Sequence, residues 1–196
     1  GEMMGKSIRK VALISGGSRG IGAAIAANLL AHGWAVSLGC RTPAEVNVID
    51  SENQLVCHFD ALDASTEQAW IAATLAKFGR IDALIHNAGI MLPLSILEAS
   101  DDDFDRTFGV NVKSPMRLSR LAWPHLQVSG AGRIVMMSSL SGKRVKGERS
   151  SLYAMSKYAA LALAHGLRKI GEAQGIRCTA ICPGFVATDM GTSLSD

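Results

Sequence analysis

Apolar positions recur along this chain in two alternating rhythms. Compact apolar runs, VALIS (11–15), WAVSLGC (34–40), LVCHF (55–59), IDALIHNAG (81–89), GRIVMMSS (132–139) and IRCTAIC (176–182), read as strands. Between them lie stretches with apolar residues at helical spacing. These are IGAAIAANLLAHG (21–33), STEQAWIAATLAKFG (65–79), a long segment from Asp101 to about His125, and SLYAMSKYAALALAHGLRKIGEA (151–173). Gly33 and Gly79 are expected helix C-caps, a Ser-x-x-Glu-like signal at 65–68 opens the second helix, and Pro183 stops the last strand. Pro115 is expected to bend the long helix. Several strands are apolar on both faces, as parallel strands are when helices cover both sides of the sheet. With right-handed crossovers the pattern predicts an α/β fold built on a doubly wound parallel sheet, whose ligands bind beyond the carboxyl ends of the strands. No repeat or flexible linker divides it, so residues 1–196 are expected to form a single domain.

Composition narrows the function. The 196 residues are 48% hydrophobic and 19% charged, and the mean hydropathy is +0.20. A net charge of +3 from 20 basic and 17 acidic residues is too balanced for a nucleic-acid partner. No apolar run reaches the roughly 18 residues that span a bilayer, and the first ten residues, GEMMGKSIRK, lack the apolar stretch of a signal peptide. Cys40, Cys57, Cys178 and Cys182 each sit in or at the end of a strand-like run without a CxxC pair. Buried free thiols in a cytoplasmic protein are the expected state, and the five scattered His residues form no metal cluster.

The first strand runs into SGGSRGIG, with Gly16, Gly20 and Gly22 spaced G-x-x-x-G-x-G. Such a turn lets backbone approach a pyrophosphate closely and presents a helix N-terminus, with its free N–H groups, to an anion. A Walker-type site is disfavoured because no Gly-Lys-Ser/Thr follows. At the end of the second strand, where an acidic residue would bind the ribose of NAD, the chain reads Gly39-Cys40-Arg41-Thr42. Arg41, with Arg19 in the glycine-rich turn, suits a 2′-phosphate instead, so NADP(H) is preferred and NAD(H) remains possible.

The glycine spacing, the HNAG that ends a strand, the Asn in GVNVKSP, VMMSSLSG, the YAMSK of a later helix and CPGFVATDM stand in that order. Together, over residues from about Lys10 to Met190, they resemble the short-chain dehydrogenase/reductase family, and the resemblance implies a Rossmann fold. It implies that Tyr153 is the catalytic acid/base and Lys157 its partner. These two share a helix face at i and i+4. A phenol with a pKa near 10 is a poor base at neutral pH, and a neighbouring ammonium favours its ionised form. By the same resemblance Ser139 hydrogen-bonds the substrate oxygen, with Ser138 as its rival, and Asn111 holds a water in a proton relay to the lysine. The coenzyme is expected against Gly16, Ser18, Arg19, Gly20, Ile21, Gly22, Arg41, Asp60, Asn87, Ala88, Gly89, Tyr153, Lys157, Pro183, Gly184 and Thr188. Asp63 competes with Asp60 for the adenine, and His86, in place of the family's usual Asn, is expected to be structural.

The implied reaction is hydride transfer between a nicotinamide and a carbonyl or alcohol carbon of a small-molecule substrate, in the reducing direction with NADPH. Rival readings are a coenzyme-binding sensor or scaffold without turnover and a methyltransferase-like α/β domain. The resemblance also implies a homodimer or homotetramer, for which YAALALAHGL (158–167) is a candidate surface. MLPLSILEAS (91–100) and KRVKGERSS (143–151) are expected to frame the substrate pocket. Two departures from the family are visible. The segment RTPAEVNVIDSENQ (41–54) is short, so the helix usual there should be reduced, and the C-terminal part ends early and is read as shortened or incomplete.

Overall fold

A computed structural model describes residues 8–17, 20–137, 147–181 and 187–195. Six strands, β1 (Val11–Ser15), β2 (Ala35–Cys40), β3 (Gln54–His58), β4 (Ala83–His86), β5 (Gly132–Met137) and β6 (Ile176–Ile181), form one sheet in the order β3-β2-β1-β4-β5-β6. Every neighbouring pair is parallel. The order reverses direction between β1 and β4, which opens a crevice beyond their carboxyl ends.

Six α-helices accompany the strands: α1 (Gly20–Ala31), α2 (Ala64–Phe78), α3 (Asp101–Phe108), α4 (Ser114–Ser129), α5 (Ser151–Gly171) and α6 (Met190–Ser195). Two apolar layers pack against the sheet. On one face Leu13, Leu84 and Ile134 meet Trp70 of α2, Leu118 and Leu126 of α4, and Ala160 and Ala164 of α5. On the other, Ile14, Val36, Leu38 and Ile85 meet Ile25 and Leu29 of α1 and Met190 and Leu194 of α6. Successive residues of β1 therefore enter opposite layers, which is why VALIS is apolar throughout and buried at all five positions. β2 shows how a polar residue survives there. Its buried Ser37 hydroxyl accepts from Trp70 Nε1 at 2.9 Å and lies 2.7 Å from Thr74 Oγ1, while Gly39 leaves room for the indole: a Cβ there would lie 2.8 Å from the ring.

Two expectations about the helices are corrected and two others hold. The second helix opens on Asp63, whose carboxylate accepts from Ser65 N at 3.0 Å, and not on the Ser-x-x-Glu signal. A carboxylate caps free N–H groups as well as a hydroxyl does, and Glu67 is turned inward, away from a capping role. The long helix continues to Ser129, and its irregularity is a π turn over Gly109–Lys113, one turn before the point expected from Pro115. Pro115 stands in the first turn of α4, where its missing N–H costs little. Between β2 and β3 a single 3-10 turn, Pro43–Glu45, replaces a helix, as the short segment suggested. Gly79 caps α2 in the left-handed region at φ 75°, its N–H bonded to Leu75 O.

At the amino end of the sheet Asp82 joins three elements. Its carboxylate accepts from Val11 N at 2.8 Å, from Arg80 through two bonds of 2.8 and 2.7 Å, and from Ser129 Oγ at 2.7 Å. Burial raises its pKa, but these donors more than offset that and leave it below the ordinary 3.8. The lowered value means that Asp82 contributes its full stabilisation above pH 3.8 and loses it as pH falls through the lower folded value. Asp82→Asn should therefore cost roughly 1–3 kcal/mol at pH 7. Urea titrations should show the gap to wild type narrowing as the pH is taken below the carboxylate range; a gap constant with pH would contradict the assignment.

Candidate functional site

The crevice is built by two turns that touch. Gly16, which follows β1, has φ +69°, and a Cβ on it would lie 3.1 Å from Ala88 Cα in the turn that follows β4. Ser15, the last residue of β1, stitches the turns together: its hydroxyl accepts from Asn87 N and Ala88 N, both at 3.0 Å. Asn87 Nδ2 adds a bond to Gly16 O at 3.1 Å. Gly22 lies under the same turn, and a Cβ there would come within 2.3 Å of Gly16 O. Gly20 opens α1 at φ +54°, and Ile21 beside it is exposed. Glycine is thus required at 16 and 22 by close approach, which brings backbone without side chains to a helix N-terminus. That arrangement fits a pyrophosphate.

From this cradle a cavity of about 380 Å³ extends across the ends of β2, β3 and β4. Among the residues lining it are five of the expected coenzyme contacts: Gly16, Arg41, Asp60, Ala88 and Gly89. Asp60 uses Oδ1 to accept from Leu62 N at 2.9 Å. Asp63 caps α2 and is not among the lining residues, whereas Asp60 is. Arg106 of α3 also lines the cavity; a lone arginine on a charged helix gave no sign of this in the sequence. Thr188 is exposed on a 3-10 turn, Ala187–Asp189, packed against α1. Ser18, Arg19, Ser139 and its rival Ser138, Pro183 and Gly184, together with Cys182, lie outside the described residues.

At Gly89 the cavity meets the helix that carries the tyrosine and lysine. A Cβ on Gly89 would lie 3.4 Å from Asn111 Oδ1 and 3.6 Å from Lys157 Nζ. Tyr153 and Lys157 share the inner face of α5, 3% and 8% exposed, with the ammonium 5.4 Å from the phenol ring centroid. Burial lowers the pKa of Lys157, and no carboxylate among the described residues lies within ion-pair distance of it. Asn111 occupies the π turn. Its Oδ1 accepts from Ile90 N at 2.9 Å, and its Nδ2 donates to Ile90 O at 2.9 Å and to Ser156 Oγ at 3.0 Å. Ser156 in turn donates to Tyr153 O at 2.7 Å. Asn111 therefore braces both the turn after β4 and the start of α5. Ser15 and Ser156 are the bracing groups that sequence reasoning missed; the only trace of Ser15 is a hydroxyl where a strand meets glycine.

His86 is fully enclosed, with Nε2 2.9 Å from Ser119 Oγ. Burial pushes its pKa down to about 3, so it is neutral at physiological pH and unsuited to proton transfer. The expected pocket-framing segments do meet: Ile96 N donates to Ser151 Oγ at 3.0 Å, and Arg149 Nε donates to Pro93 O at 3.0 Å. No helix among the described residues is long and apolar enough to cross a membrane.

This geometry has close counterparts. Residues 10–196 match the family model described as short chain dehydrogenase. Agropine synthesis reductase of Rhizobium rhizogenes is 43% identical over 184 residues, 92% of this chain, and the chain spans 43% of that relative's length. Oxidoreductase UcpA of Escherichia coli strain K12 is 35% identical over 197 residues, 98% of this chain and 75% of the relative. Among solved structures, a metagenomic short-chain oxidoreductase in complex with NADP superposes with a TM-score of 0.85 at 26% identity, over 96% of this chain and 90% of that one. With its parallel six-stranded sheet, glycine cradle and paired tyrosine and lysine, the chain belongs to the short-chain dehydrogenase family.

Proposed function

We propose that this chain is an NADP(H)-dependent oxidoreductase that interconverts a carbonyl and an alcohol, with Tyr153 as acid/base. The observation that carries this reading is at Gly89. One wall of the cavity that holds Gly16, Arg41 and Asp60 is also the surface against which Asn111 and Lys157 converge, beside Tyr153. A dinucleotide laid from Asp60 past Gly16 to Gly89 therefore ends next to a phenol and an ammonium.

NADPH supplies the hydride at C4 of its nicotinamide ring. The protein supplies the rest. As negative charge develops on the substrate's carbonyl oxygen, Tyr153 hydrogen-bonds that oxygen and donates its proton, with Ser139 as a second donor. The Lys157 ammonium stabilises the charge left on the phenol oxygen, and it is most effective in a site from which water is excluded. Asn111 holds the turn and helix in register and orders a water toward the lysine. Arg41, exposed at the rim, pairs with the 2′-phosphate; the NADP complex of the metagenomic relative supports that choice. In the stretch 158–167, Ala160 and Ala164 pack on the sheet and Tyr158 is exposed, so it is the outer side of α5 that we assign to subunit pairing in a homodimer or homotetramer. The free thiols Cys40, Cys57 and Cys178 support a cytoplasmic setting.

The reading is tested by NADPH oxidation against a panel of ketones and aldehydes. Tyr153→Phe should keep NADPH affinity within about twofold and lose at least ~100-fold in turnover. A fully active variant, or a wild type that binds NADPH and turns over nothing in the panel, would overturn it. For the coenzyme, Arg41→Asp should weaken NADPH binding by a factor of ten or more while leaving NADH binding nearly unchanged (about 1.4 kcal/mol or more from one lost charge-assisted contact). Equal losses would remove the basis for preferring NADPH. Lys157 is buried with its pKa lowered, so its charge opposes folding at neutral pH, and that cost fades as pH rises. Lys157→Met should raise the thermal midpoint at pH 7 while abolishing turnover; a lower midpoint would mean that the ammonium is satisfied in the folded protein.

A further inference from the structure

The floor of the adenosine end of the cavity is tied to a charge pair that lies behind it. Glu67 of α2 is 0% exposed, and among the described residues its carboxylate has two donors from α4. Ser114 Oγ donates to Oε2 at 2.7 Å, and Arg117 Nε donates to Oε1 at 2.6 Å. The same guanidinium reaches further, and its Nη2 donates to Ala61 O at 3.0 Å. Ala61 stands between Asp60 and Leu62, and all three line the 380 Å³ cavity.

A charge pair that only fastened α2 to α4 would be a poor choice, since an apolar pair of similar size does that without the cost of taking two charges out of water. What the guanidinium offers beyond attachment is its fork: Nε holds the Glu67 carboxylate while Nη2 holds a backbone carbonyl. That carbonyl belongs to the short turn between β3 and α2. The link from β2 to β3 contributes one 3-10 turn and no helix. Leu62, 53% exposed, rests over Gly109, where a Cβ would lie 2.8 Å from its Cδ2. Leu62 N donates to Asp60 Oδ1 at 2.9 Å and Thr66 Oγ1 of α2 donates to Asp60 O at 3.0 Å, while Phe59 N donates to Cys40 O at 2.8 Å; the support that reaches Ala61 O from α4 is Arg117.

We infer that Arg117, oriented by Glu67, is a positioning residue for the adenosine half of the dinucleotide, holding the Asp60–Leu62 wall at the spacing the base requires. The inference rests on the proposed function for the identity of the ligand. It predicts an effect confined to the end of the coenzyme farthest from Tyr153.

The test is Arg117→Lys, which keeps the positive charge beside Glu67 but gives up the second, rigidly placed donor nitrogen. Affinities for NADPH, NADH and reduced nicotinamide mononucleotide, which lacks the adenosine half, are measured by fluorescence titration. Both dinucleotides should bind roughly three- to tenfold more weakly, the effect of one lost hydrogen bond, with the mononucleotide unchanged. Glu67→Gln, which keeps the side chain's size, reads the same pair from α2 and should give the same split. Unchanged dinucleotide affinity overturns the inference, and so does an equal loss for all three ligands, which would mark a merely structural pair. Wild-type protein that binds neither dinucleotide would instead overturn the proposed function on which the inference rests.

Discussion

The hydroxyl of Ser15 and the bare backbone of Gly16 hold together the turns that end β1 and β4, and everything at the carboxyl edge of the sheet takes its position from that join. Gly16 suits this approach, since its φ of +69° disfavours any side chain and a Cβ would crowd Ala88 Cα at 3.1 Å. Once the join is made, the N-terminus of α1 and the Asn87–Gly89 turn face one crevice. Asn111 then carries the constraint onward, since its amide clasps Ile90 on one side and Ser156 on the other. Hydrogen bonds from Ser15 to Ala88, and from Ile90 two residues on through Asn111 and Ser156 to Tyr153 O, join buried or half-buried groups, the kind that fixes geometry in a low-dielectric interior.

Much of this was legible in the sequence because it is local. The strand VALIS, the glycine spacing and Tyr153 with Lys157 at i and i+4 depend on neighbours a few residues apart, where periodicity and sterics speak directly. Asn111 was picked out by the family resemblance, and the structure places it on a π turn that turns its amide toward Ile90. What the sequence could not show are partnerships between distant positions. Glu67 read as part of a helix cap and is instead the buried acceptor for Ser114 and Arg117, 47 and 50 residues away. Ser37 reads as an ordinary strand residue until Trp70 is placed above it. Asp60 and Asp63 are chemically alike, and only the start of α2 tells them apart.

The site also opposes the fold that carries it. Lys157 is buried without a carboxylate partner among the described residues, a placement that costs stability. The two apolar layers and the Asp82 hub lie toward the body and amino end of the sheet, away from that cost. Strain is thus concentrated at one edge and supported from the other, a division common where chemistry needs groups that packing alone would not select.

The short link between β2 and β3 has one more consequence. Beside the single 3-10 turn that stands in place of a helix, Arg41 is exposed, so a phosphate paired with it stays in contact with solvent. Attraction of that kind is dulled by dissolved ions over about 8 Å at physiological ionic strength. Discrimination between the two nicotinamide coenzymes would then follow the saltiness of the surroundings as well as the shape of the cleft.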